Sequence, residues 1–106
     1  MTSFDERENA FEAKFAHQEE LRFKLREYAL RLLALWAAER LGKTAEASEI
    51  YARNMVAIDV ASPMREAALE WIATDLRATG ISERKVRQAM DRFLAQAGAQ
   101  IHASAS

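Results

Sequence analysis

Between Ser3 and Leu41 the chain contains neither glycine nor proline, and Gly42 follows at once. Glycine costs about 1 kcal/mol and proline about 3 kcal/mol in a helix interior. A long stretch free of both, built largely of Ala, Glu, Arg and Leu, therefore has one natural state, a helix. Ser3 and Glu6 have capping-box spacing at its start, and Gly42 suits the left-handed C′ position at its end. A run of about 38 residues is long for a globular helix. It predicts two working parts: a charged, sparsely apolar stretch over 4–18 and a densely apolar one over 19–41.

The whole chain has 3 Gly and 1 Pro in 106 residues, and the remaining punctuation predicts three more helices. Thr44 reads as an N-cap, with Glu46 in the positive first turn. Ala47, Ile50, Tyr51, Met55 and Ile58 repeat behind it at helical steps. Ser62-Pro63 reads as the N-cap and first position of a third helix, with Leu69, Ile72 and Leu76, and Trp71 beside them, as its apolar stripe. Gly80 stops it, and Ile81 is placed for a C″ contact. Ser82 caps the fourth helix, whose core side is Val86, Met90, Phe93, Leu94 and Ala97. The expected fold is all-α. Residues 19–101 form a four-helix bundle-like domain, residues 1–18 a mobile or helical N-terminal extension, and residues 102–106 a disordered tail.

At about 100° per residue, Phe4, Phe11 and Phe15 fall on one narrow stripe of the first helix. Leu21, Leu25, Tyr28, Leu32, Leu35 and Trp36 form a second stripe, rotated by about 90°. Phe23, Leu30, Leu33, Ala37 and Leu41 add a further apolar face, so 19–41 is expected to be the central helix of the bundle. The phenylalanine stripe does not continue the second stripe. It reads either as a partner-docking face with charged residues around it, Asp5, Glu6, Arg7, Glu8, Glu12 and Lys14, or as a face folded back on its own bundle. On the pattern alone the two stand level. Membrane-surface insertion is disfavoured by the acids beside the stripe.

Other chemistry is hard to find. Fifteen bases against 16 acids give a net charge of −1, with both signs mixed locally, so the basic patch of a nucleic-acid binder is missing. The charged start is unlike a signal peptide, and nothing approaches a membrane-spanning run. With no cysteine there is no disulfide and no thiolate metal site. His17 and His102 are too far apart to pair as ligands, and His17 reads as a structural or partner-contact residue. Gly42-Lys43-Thr44 resembles the end of a phosphate-binding loop, but Ala37 stands where that loop needs glycine, and a helix precedes it. A cap is the better reading there, with Lys43 as a weak nucleotide-contact candidate. Trp36 and Trp71 read as core anchors. No nucleophile, acid–base pair or metal set supports an enzyme. The acids Glu19 and Glu20 suit pairing with the basic residues that follow them.

The segment Phe4-Asp5-Glu6-Arg7-Glu8-Asn9-Ala10-Phe11-Glu12-Ala13-Lys14-Phe15-Ala16-His17 runs into Glu19-Glu20-Leu21-Arg22-Phe23-Lys24. Downstream stand Leu35-Trp36-Ala37-Ala38-Glu39 and Leu41-Gly42-Lys43-Thr44. Over residues 3–101 the chain resembles the zeta inhibitor subunit family of the alphaproteobacterial F-type ATP synthase. The likeness is denser at the N-terminus and the Gly42 turn than beyond them. Gln18 departs from it where an acid is usual after the histidine, as does Tyr28-Ala29-Leu30, where the family is more basic and polar.

The resemblance implies a regulatory protein without cofactor, cytoplasmic, monomeric when free and peripheral at the inner membrane when bound. Its partner would be the catalytic head, with its alpha, beta and gamma subunits. The N-terminal region would enter that head as a helix, wedge at the alpha/beta/gamma interface and block rotation in the ATP-hydrolysing direction. The positions carried over are Phe4, Asp5, Arg7, Glu8, Phe11, Glu12, Lys14, Phe15 and His17. The phenylalanines would be buried anchors and the charged residues would make rim and register contacts. The alternative is a small helical module that senses a nucleotide or metabolite near Lys43 or the tryptophans.

Overall fold

A computed structural model describes the backbone of residues 2–105 and the side chains of residues 16–101. The protein is all-α, with four helices in chain order: α1 (Thr2–Arg40), α2 (Ala45–Ala61), α3 (Ala67–Arg77) and α4 (Glu83–Ala105). The side chains of 102–106, where a tail was expected, lie outside the described residues. Helix α1 touches all three of the others, most extensively α2 and α4. It is the central helix.

The ends of α1 and α3 follow the same chemistry. Gly42 has φ 75°, its amide donates to the Glu39 carbonyl (3.1 Å), and the Lys43 amide donates to Ala38 (3.1 Å). These are the paired bonds of a Schellman stop, which satisfy carbonyls the helix leaves orphaned. Gly80, with φ 83°, repeats it: its amide donates to Arg77 (3.0 Å) and that of Ile81 to Leu76 (3.2 Å). The helices that follow begin as expected. Thr44 Oγ1 accepts from the Ala47 amide and Ser82 Oγ from that of Lys85, both at 3.2 Å.

The start of α3 differs from the sequence expectation. Ser62 closes α2, and α3 begins only at Ala67, with Glu66 at its N-cap making no side-chain cap bond. The Arg65 amide donates to the Ser62 carbonyl (3.2 Å), so Ser62-Pro63-Met64-Arg65 is a turn with proline in its second position. A fixed proline φ suits that position as well as a helix start. Arg65 then takes φ 56°, a left-handed conformation that a helix cannot pass through.

The core is built from the small residues of α1 and the long ones of its neighbours. Ala29, Leu30, Leu33, Ala34, Ala37 and Ala38 are fully buried against Tyr51, Ala52 and Met55 of α2, Leu69, Ile72 and Leu76 of α3, and Val86, Met90 and Ala97 of α4. The alanines let the other helices approach α1 closely. The stripe Leu21, Leu25, Tyr28, Leu32, Leu35 and Trp36 is therefore not the main core face. Leu21 and Tyr28 are exposed, and the other four are only partly buried. Ile50 and Trp71, also expected inside, are 47% and 55% exposed. Trp36 packs on the core edge with the Arg40 guanidinium 4.2 Å from its ring.

Candidate partner-docking site

Where α1 stops belonging to the bundle decides what its N-terminal part can do. Leu25 is the first of its described residues packed against the core. An added Cβ on Gly98 of α4 would lie 3.8 Å from its Cδ1. Residues 16–24 are all exposed. Glu19 lies near the azimuth of the buried face, about 100° on the helical wheel, yet its side chain is 51% exposed. The bundle has ended by that level. Glu19 and Glu20 instead pair along the helix with Arg22 (3.1 Å) and Lys24 (3.3 Å), the arrangement their spacing predicted.

The backbone of α1 is continuous from Thr2, so residues 4–17 lie on one helix with the central core segment. Of the candidate docking residues, His17 is described, and it is exposed. The side chains of Phe4, Asp5, Arg7, Glu8, Phe11, Glu12, Lys14 and Phe15 lie outside the described residues. The offset of the phenylalanine stripe from the Leu21–Trp36 stripe does not separate it from the core face. The buried face of α1 spans about 20–200° on the wheel and the phenylalanine stripe about 20–60°, so the stripe is not turned away from the true core face. What separates positions 4–15 from the described core is distance along the helix, since Leu25 is the first described residue of α1 packed against it.

The base of this projecting segment is held by a cluster that the sequence reading missed. Asp59 of α2 is 1% exposed. It accepts from Arg26 of α1 (Nε to Oδ2 3.2 Å, Nη2 to Oδ1 3.1 Å) and from Arg65 (Nε 3.2 Å and Nη2 2.8 Å, both to Oδ2). Arg26 also donates to the Arg65 carbonyl, and the Arg65 guanidinium lies 4.7 Å over the Phe23 ring. A signal was present. Asp59 sits about two turns beyond Ala52 and one turn beyond Met55, on the buried side of α2, and an acid there demands a cationic partner.

Lys43 behaves as part of a cap. The amides of Gly42 and Lys43, which a phosphate cradle would need, are spent on Glu39 and Ala38. The Lys43 ammonium lies 5.3 Å from the Tyr51 ring. A shallow groove of about 390 Å³ opens elsewhere, between α1 and α2, lined by Tyr28, Ala52 and Val56 and rimmed by Lys24, Arg31 and Arg53. At its edge Arg31 grips the exposed Glu49 with two bonds of 2.9 and 3.0 Å, and that grip holds the Glu49 carboxyl below its usual range. Among the described residues no group of His, Cys, Asp or Glu converges as a metal site. No described helix is long and apolar enough to cross a membrane.

The family model for ATPase inhibitor subunit zeta matches residues 1–100, from the projecting segment through all four helices. The chain belongs to this family. Comparison with curated proteins gives no match. Membership makes the protein one of a set of inhibitory subunits of an ATPase, which is a regulatory role exercised by contact with another protein. In this zeta-family chain, residues 16–24 of α1, ahead of Leu25, are exposed.

Proposed function

We propose that the protein inhibits ATP hydrolysis by the F-type ATP synthase through insertion of the N-terminal part of α1 at the alpha/beta/gamma interface of the catalytic head. The observation that carries this reading is the extent of α1. It is one helix of 39 residues, and among the described residues its packing into the bundle begins at Leu25. A helix that outruns its own core has a face to offer another protein, and helix-in-groove docking uses apolar anchors spaced along one stripe. Phe4, Phe11 and Phe15 are those anchors in this reading. Asp5, Arg7, Glu8, Glu12, Lys14 and His17 set register at the rim, and the bundle anchors the helix from outside the head.

The test is alanine substitution along the stripe, with hydrolysis by the purified catalytic head as readout. Truncating a central aromatic anchor typically costs about 2 kcal/mol or more of binding, on the order of 30-fold. Phe11→Ala and Phe15→Ala should each weaken inhibition by about that factor, whereas Glu6→Ala should change it by about threefold or less. Equal inhibition by all of these variants and the unaltered chain would remove the stripe from the mechanism.

A further inference from the structure

The cluster around Asp59 stands where α1 leaves the bundle, and its chemistry is more elaborate than packing requires. We infer that Asp59, with Arg26 and Arg65, clamps the base of the projecting helix, and that these are positioning residues which fix the direction in which the docking segment points. The inference rests on the inhibitory reading above.

Three parts of the chain meet on one carboxylate. Arg26 belongs to α1 and is one residue beyond Leu25, the first packed position. Asp59 belongs to the last turn of α2, and Arg65 to the turn between α2 and α3. A carboxylate this deeply buried must be paired, and here it accepts four bonds from two guanidinium forks. Arg65 holds φ 56°, a conformation in which glycine would be unstrained and any other residue is disfavoured by about 1 kcal/mol. The arginine there does two things glycine cannot: it completes the Asp59 pairing and covers Phe23 of the projecting segment.

Direction matters because of leverage. From Leu25 back to Phe4 is about 32 Å of helix at 1.5 Å per residue. A pivot of about 20° at the base would swing that end by about 11 Å over this length, enough to miss a groove sized for one helix. Holding the base ahead of encounter avoids an ordering cost at binding. Arg26 lies nine residues beyond His17, the last of the proposed docking positions, about 13 Å along the helix, so loss of the clamp should slow association and leave dissociation alone.

Arg65→Gly in the full chain tests this, because glycine relieves the backbone at that position while removing both the Asp59 pairing and the cover on Phe23. The expected result is a retained fold, with amide hydrogen exchange at Phe23–Arg26 faster by about threefold or more. Association with the catalytic head should slow about tenfold, with the dissociation rate within about twofold of the unaltered chain. Arg26→Gln, which cuts the α1 arm instead, should give the same pattern. Unchanged exchange overturns the clamp. Faster exchange with unchanged association overturns its positioning role, as does an effect confined to dissociation. If the unaltered chain does not bind the head at all, the inhibitory reading fails, and the exchange result still decides whether the clamp exists.

Discussion

The Tyr51 hydroxyl donates to Asp75 Oδ2 at 2.8 Å, joining α2 to α3 at the core edge. Burial, and then the Asp75 carboxylate, push its ionisation well above the ordinary tyrosine value of 10.0. The folded state therefore resists losing this proton more than the unfolded chain does. The contribution is complete below about pH 10, the unfolded value, and is lost progressively as pH rises beyond it. Tyr51→Phe should cost about 1.5 kcal/mol in urea unfolding at pH 8, the usual range for a bond to a charged acceptor. The gap between the two proteins should narrow by pH 11, and a constant gap would contradict the assignment. Asp59→Ala leaves two guanidinium groups facing each other without their counter-charge, and breaking a buried pair in this way costs about 3 kcal/mol or more. Thermal unfolding of that variant should show the largest loss of any single polar substitution in the protein.

At the scale of the helices, the stops and starts that glycine and capping side chains dictate were readable from local sequence. An Ala at position 42 would meet no neighbouring atom within 4 Å, so Gly42→Ala isolates the strain of the left-handed cap, about 1 kcal/mol. Thr44→Ala should cost about the same by freeing the Ala47 amide. Denaturant midpoints measure both, and a neutral Gly42→Ala would dismiss the stop as an element of stability. The start of α3 was not readable in this way, because Ser62-Pro63 serves a turn as well as a helix. Only Arg65, held in the left-handed region and paired to a residue of another helix, decides between them. The faces of α1 were misjudged for a related reason. Counting large apolar residues favours the stripe through Leu21, Tyr28 and Leu32, whereas the bundle closes on the smaller side through Ala29, Ala34, Ala37 and Ala38, where close approach is cheapest.

For the molecule as a whole, a four-helix, all-α architecture followed from glycine placement and apolar periodicity, and the family was legible in the residues of the N-terminus and the Gly42 turn, within a match that spans residues 1–100. What single-chain periodicity could not give was the level at which the bundle ends. That depends on how α2 and α4 reach along α1, a long-range matter on which the exposure of Glu19 and the packing of Leu25 now bear. With the core beginning at Leu25, residues 1–18 can be removed without deleting any buried contact of the described core. The most direct measurement is therefore ATP hydrolysis by the purified catalytic head of the same organism, with the full chain and with a chain lacking residues 1–18. The truncated protein should unfold at nearly the temperature of the full chain and fail to inhibit. A folded truncation that inhibits as strongly as the full chain would contradict insertion of α1 as the means of inhibition.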